Sequence, residues 1–107
     1  MKERPLRMAK IVRRVVGAKL QQLTPGVYLT LTDITVSPDL KYATVWISPL
    51  EEDSDDNQLN LLLTEHRPAL QAELAGYVQS KFTPRLVLRI DRGGAHAASI
   101  EQLLKDL

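Results

Sequence analysis

The chain has 107 residues, of which 44% are hydrophobic and 25% are charged, enough apolar material for one packed domain over residues 1–107 and too little for two. It contains no cysteine, so disulfides and thiolate metal sites are excluded and a cytoplasmic location is expected. Five of the first ten residues are charged, and no apolar run exceeds three residues. Neither a signal peptide nor a membrane-spanning helix is therefore expected.

The net charge of +1 conceals an uneven distribution along the chain. Seven of the 14 basic residues precede Leu20, whereas five of the 13 acidic residues fall between Glu51 and Asp56. A basic surface attracts phosphate and an acidic loop repels it, so the two together would orient a polyanion on the domain. An acidic run is also common in an ordinary solvated loop, and that alternative stays open.

A proline and a Thr-Pro-Gly stop delimit a predicted helix from Pro5 to Leu23. At 100° per residue, this helix has an apolar side and a basic side. The apolar side contains Met8, Ile11, Val12, Val15, Val16 and Leu23. The basic side contains Arg7, Lys10 and Arg14, with Arg13 on its flank and Arg4 just before the helix. Lys19 falls on the apolar side, which requires a snorkelling stem or a distortion near Gly17.

Two segments with alternating apolar residues predict a β-hairpin. In the first, Val27 to Ser37, the alternation changes phase, and a bulge near Thr32-Asp33 would bring both halves onto one face. Pro38 and its neighbours supply turn residues before the second strand, which runs from about Tyr42 to Ser48.

The second half of the chain predicts two helices and a strand. A short helix from about Gln58 to Glu65 is expected to be separated by a break or kink from a second helix that starts near Pro68. The second helix has apolar residues at helical spacing, namely Leu70, Leu74, Tyr77, Val78 and Phe82. A strand follows Pro84, and residues 95–107 would form an extra helix or a mobile tail.

The predicted order is α-β-β-α-α-β, an α+β class with helices on one face of a three-stranded sheet. Three blocks of residues stand out in this order. The first block is Arg4-x-x-Arg7 and the helix after it. The second comprises Leu31 to Ser37, Pro38-Asp39-Leu40 and Ala43 to Ser48. The third comprises Leu70 to Leu74, Phe82 to Leu86 and Ile90-Asp91. Together the three blocks resemble the ribosome-binding factor A family, a KH-like domain of type II.

The resemblance implies a non-enzymatic ribosome-assembly factor, monomeric and cytoplasmic. Such a factor would bind the small (30S) ribosomal subunit and its 16S rRNA to assist late maturation and pre-rRNA processing. The family's Ala-x-Gly kink between its last two helices aligns here with His66-Arg67-Pro68. A Gly-x-x-Gly loop, which clamps single-stranded RNA in other KH domains, is absent from the sequence.

The basic residues are the candidate RNA-binding site, because cations spaced along one surface can neutralise successive phosphates. The candidates are Arg4, Arg7, Lys10, Arg13, Arg14, Arg67, Lys81, Arg85 and Arg89. Trp46 and Tyr42 share the strand side that carries Arg85 and Arg89, and their rings are candidates for base stacking. The alternatives are that the charges are ordinary solvated surface and that Trp46 merely covers backbone.

The sequence lacks a recognisable catalytic constellation. His66 and His96 have no acidic or cysteine partners at metal-ligand spacing, and the aspartates Asp33, Asp39 and Asp91 lie at strand ends, where aspartate usually caps a turn. We therefore expect no cofactor, metal, small-molecule substrate or membrane partner. The main rival to RNA binding is a protein–protein adaptor whose basic helix docks on an acidic partner; a small enzyme with carboxylates at strand ends is a remoter one.

Overall fold

The computed structural model describes residues 3–51, 53–78 and 81–92. Its elements are α1 (Glu3–Leu23), β1 (Leu29–Val36), β2 (Tyr42–Pro49), α2 (Asp56–Tyr77) and β3 (Arg85–Ile90). The strands form a three-stranded sheet with β2 in the centre, antiparallel to β1 and parallel to β3. The predicted α+β class, hairpin and last strand are confirmed, whereas the extra helix predicted over 95–107 lies outside the described residues.

Helix α1 buries the predicted apolar stripe against the sheet and α2. Its buried residues are Met8, Val12, Val15, Val16 and Leu20. Lys19 is half-buried, and its Nζ lies 3.9 Å from Oε2 of Glu73 on α2. Because the helix continues through Gly17, the lysine stem snorkels along the apolar side instead of distorting the helix.

The predicted bulge in β1 is present. The pairing with β2 shifts register between Leu31 and Asp33, so that Leu31 packs against the core and Ile34 is buried in it. The hydroxyl of Thr32, at the bulge, donates to Oδ2 of the buried Asp91 at 2.8 Å. This hydrogen bond connects the bulge in the edge strand β1 to the end of the other edge strand, β3.

The core lies between one face of the sheet and both helices. The inward residues of β2, Ala43, Val45 and Ile47, are at most 1% exposed. They share one apolar cluster with the stripe of α1, with Leu86 of β3 and with Leu70 of α2. The helices therefore cover a single face of the sheet, as predicted, and leave the other face open.

The predicted break between two helices near Pro68 is wrong, because α2 is one helix with Pro68 inside it. The element order is consequently α-β-β-α-β rather than α-β-β-α-α-β. Proline in a helix interior removes one hydrogen bond and costs about 3 kcal/mol.

Four leucines of α2 explain why the helix continues. The buried positions are Leu59, Leu63, Leu70 and Leu74. On an ideal helix they fall within an arc of about 60°, with no change of phase at the proline. Each buried leucine contributes about 1.5–3 kcal/mol, so burying them along one uninterrupted stripe outweighs the lost hydrogen bond.

The end of α2 also differs from the prediction. The helix stops at Tyr77, because Val78 is extended (φ −89°, ψ 123°) and its N–H caps the Leu74 carbonyl. Gly76, a weak helix former, lies in the last turn. Phe82, expected to continue the apolar side of this helix, is instead 71% exposed in the segment before β3.

The acidic run contributes to the start of α2. Asp55 caps the helix, and its side chain accepts a hydrogen bond from the Asn57 N–H at 2.9 Å. Arg92 donates to the Asp56 carboxylate and to the Ser54 carbonyl. Part of this segment therefore has a structural role besides its charge.

Replacing Pro68 by alanine should stabilise the protein. The ring is exposed, and alanine supplies the N–H that can donate to the Thr64 carbonyl. We expect the free energy of unfolding to rise by about 1–3 kcal/mol, measured by urea denaturation. Pro25→Ala is the control, since Pro25 lies in a turn and its loss should give no gain. An unchanged or lower stability of Pro68→Ala would contradict the account of α2.

Gln71 fastens α2 to β3 with both ends of its amide. Its Nε2 donates to the Pro84 carbonyl and its Oε1 accepts from the Leu86 N–H, both at 2.8 Å. Gln71→Ala should therefore lower the free energy of unfolding by about 1–3 kcal/mol. Gln22→Ala, at an exposed position on α1, should change it by less than about 0.5 kcal/mol. Equal urea midpoints for the two variants would show that the two hydrogen bonds of the Gln71 amide contribute nothing to stability.

Candidate nucleic-acid interface

The outer side of α1 carries the first group of predicted site residues. Arg4, Arg7, Lys10, Arg13 and Arg14 are all exposed, because the opposite side of the helix is committed to the core. Arg7 lies 3.9 Å from Glu3 one turn earlier, and both side chains are about four-fifths exposed. An ion pair so solvated is weak, and it leaves the positive character of this surface in place.

Two of these arginines also have structural contacts. Nη1 of Arg13 donates to the Leu31 carbonyl of β1 at 3.2 Å. The guanidinium of Arg14 lies 6.0 Å from the centre of the Tyr77 ring on α2, the outer limit for a cation–π contact. Arg13 therefore bridges α1 to one edge strand, and Arg14 reaches α2. Arg7 and Lys10 lie on the solvent side between them.

The open face of the sheet carries the second group. Tyr42 pairs with Arg85 across β2 and β3, and Trp46 pairs with Arg89 further along the same strands. Trp46 is half-buried, and Asp33 is its partner on the other side. The predicted alternation is thus confirmed: two aromatic rings and two arginines share one face, an arrangement suited to stacking bases and contacting phosphates.

The two remaining candidates lie in different places. Arg67 is half-buried in the middle of α2, where it lines a small cleft with Leu63 and Leu88. Lys81, expected on a helix, lies in the segment before β3, and it lines a cavity together with Arg4. Lys41 lines the same cavity and was missed as a candidate, because no spacing along the sequence connects a turn residue with residues so distant.

The nine cations therefore do not form one patch. Arg7, Lys10 and Arg14 lie on the outer side of α1, whereas Arg85 and Arg89 face outward from the opposite side of the sheet. The cavity that contains Arg4 and Lys81 lies at the end of the molecule where α1 begins. Within the part of the chain that the structure describes, neither helix has the length and apolar character needed to span a membrane.

A family model described as ribosome-binding factor A matches residues 4–104 of this chain. The chain belongs to the ribosome-binding factor A family. A ribosome-binding factor A from Rhodopseudomonas palustris (strain HaA2) is 36% identical over 95% of this chain and 79% of its own length. One from Hyphomonas neptunium is 30% identical over 97% of this chain and 83% of its own.

Solved structures in the ribosome-binding factor A family share the fold. The crystal structure from Thermus thermophilus has a TM-score of 0.69 at 19% identity and covers 80% of this chain and 93% of its own. A Thermus thermophilus homology model of ribosome-binding factor A, fitted into a cryo-EM map of its complex with the 30S subunit, has a TM-score of 0.62 at 23% identity. It covers 76% of this chain and 88% of its own.

The position of Trp46 on the open face gives a test of base stacking. If the ring stacks on RNA, Trp46→Ala should weaken binding of a single-stranded RNA by about 1–3 kcal/mol, measured by fluorescence anisotropy. Trp46→Phe, which keeps an aromatic face, should retain most of the affinity. Unchanged binding by a folded Trp46→Ala variant would contradict base stacking and would favour the alternative, in which the ring only covers the backbone of the sheet.

Proposed function

We propose that this protein is a non-enzymatic ribosome-assembly factor that binds the small (30S) ribosomal subunit through its 16S rRNA during late maturation and pre-rRNA processing. It would act in the cytoplasm as a monomer, through binding energy that favours one rRNA conformation. Membership of the ribosome-binding factor A family supports this proposal, as does the 30S complex into which the Thermus thermophilus relative is fitted.

The observation that carries the proposal is the exposed basic surface of α1. Arg7, Lys10 and Arg14 occupy one solvent-facing side of a helix in which Glu3 is the acidic residue. Because the opposite side is buried, this surface remains available on the folded protein. Phosphates of RNA are the matching ligands, since each neutralised phosphate releases condensed counterions.

Arg85 and Arg89 on the open sheet face suggest that RNA contacts the protein from a second direction. The molecule is 18 Å across along its shortest axis, which is more than two Debye lengths at physiological salt, so phosphates on its two sides would be largely screened from each other. A thin domain with cations on both surfaces is suited to insertion between two rRNA segments. In this arrangement the factor would hold the segments in a fixed relation without altering either covalently.

Charge reversal on α1 tests the proposal. Replacing Arg7, Lys10 and Arg14 by glutamate should reduce affinity for purified 30S subunits by at least tenfold and lower the salt slope by about 2–3 units. Stability should fall by no more than about 1 kcal/mol, because the side chains are exposed and only Arg14 has an aromatic contact. Binding is measured by filter retention at several salt concentrations, and folding by circular dichroism.

A control for added acidic charge on the same helix is Gln21→Glu with Gln22→Glu, two turns beyond Arg14. This variant should keep most of its affinity for the subunit. A folded triple variant that binds subunits with unaltered affinity and salt slope would show that the basic side is only solvated surface. Such a result would favour the adaptor alternative, in which α1 docks on an acidic protein.

A further inference from the structure

A cavity of about 580 Å³ lies at the end of the molecule where α1 begins. Three parts of the chain supply its lining residues: α1, the turn between β1 and β2, and the segment before β3. The residues are Arg4, Asp39, Leu40, Lys41, Lys81, Phe82 and Thr83, and we call this site the end cavity. Its volume is within the range of about 300–1,000 Å³ that is typical of small-ligand pockets.

The turn between β1 and β2 holds the backbone of Lys41 in a fixed place. Its N–H lies 3.1 Å from both the Ser37 hydroxyl and the Asp39 carboxylate, and its carbonyl accepts from the Arg85 N–H at 2.8 Å. Leu40 before it has a φ of 61°, a left-handed conformation that costs a non-glycine residue about 1–2 kcal/mol. Such a conformation persists only where the surrounding structure enforces it, so this wall of the end cavity is preorganised.

The end cavity is positively charged. Its three cations, Arg4, Lys41 and Lys81, face a single carboxylate, Asp39. The hydroxyl of Ser37 donates to that carboxylate at 2.7 Å. This hydrogen bond, with the one from the Lys41 backbone, holds the pKa of Asp39 below its usual range. The carboxylate is therefore an ionised part of the turn at neutral pH, and the cavity keeps an excess of two positive charges, which suits a phosphate-bearing ligand.

Phe82 adds an aromatic surface to these cations. It is 71% exposed, and the Nζ of Lys81 lies 5.6 Å from the centre of its ring. An exposed ring beside cations is the arrangement on which proteins stack bases of single strands while holding the flanking phosphates. A duplex would use only the cations, because its bases are already stacked on one another.

We propose that the end cavity binds single-stranded RNA, with one unstacked base on Phe82 and the flanking phosphates at Arg4, Lys41 and Lys81. This inference rests on the proposed function for the source of the RNA, an unpaired segment of rRNA. Lys41 and Phe82 thereby receive roles in RNA binding. The end cavity would recognise single-stranded RNA in a chain that lacks a Gly-x-x-Gly loop.

The test measures binding of the full chain to a short labelled oligouridylate and to an A-form RNA duplex of equal length, by fluorescence anisotropy. Phe82→Ala should weaken oligouridylate binding about fivefold or more and leave duplex binding unchanged. Phe82→Leu, which keeps apolar bulk without an aromatic face, should behave like alanine. Lys41→Gln should weaken oligouridylate binding and lower its salt slope by about 0.7.

Tyr28→Ala is the matched control, because Tyr28 is also an exposed aromatic residue, 65% exposed, but does not line the end cavity. It should bind both RNAs as the unchanged protein does. Unaltered oligouridylate binding by the Phe82 and Lys41 variants, or equal loss on both RNAs with Phe82→Ala, would overturn the inference. Binding of the unchanged protein to 30S subunits is measured in parallel, so failure of the proposed function would be seen separately.

Discussion

Burial of one face of β2 is the constraint on which the rest of the structure depends. Ala43, Val45 and Ile47 are completely covered, because both helices pack on the same side of the sheet. That packing fixes the outward side of α1, and with it the basic residues, on one surface of the molecule. The alternation along β3 then fixes Arg85 and Arg89 on the other. The positions of the charged groups are thus a consequence of how the apolar residues are buried.

Much of this arrangement could be predicted from local periodicity. The phase change in β1 predicted the bulge at Thr32-Asp33, because a strand with one buried face cannot change phase without an extra residue. The apolar stripe of α1 predicted its basic outer side in the same way. Pro68 misled the prediction for α2, because the local preference of proline was outweighed by the leucines on both sides of it. Their common phase across the proline was a signal in the sequence that favoured one helix.

Other features of the site could not be predicted because they depend on contacts between distant parts of the chain. The hydrogen bond from Arg13 to Leu31 joins residues 18 positions apart. The end cavity brings Arg4, Lys41 and Lys81 together from three elements. The spacing of residues within one element contains no information about contacts between elements. The spacing of the cations within α1 and β3 therefore predicted two basic surfaces, whereas the end cavity required the fold.

Binding to the small ribosomal subunit through electrostatic contacts with rRNA is the function that we propose for this protein. The most direct test is to sediment a cell lysate through sucrose gradients at low and high salt and to locate the protein by immunoblotting. We expect the protein to sediment with free 30S subunits at low salt, to be absent from translating ribosomes, and to be released from the subunit at high salt. Sedimentation only at the top of the gradient at low salt, or association with 30S that does not respond to salt, would contradict this proposal.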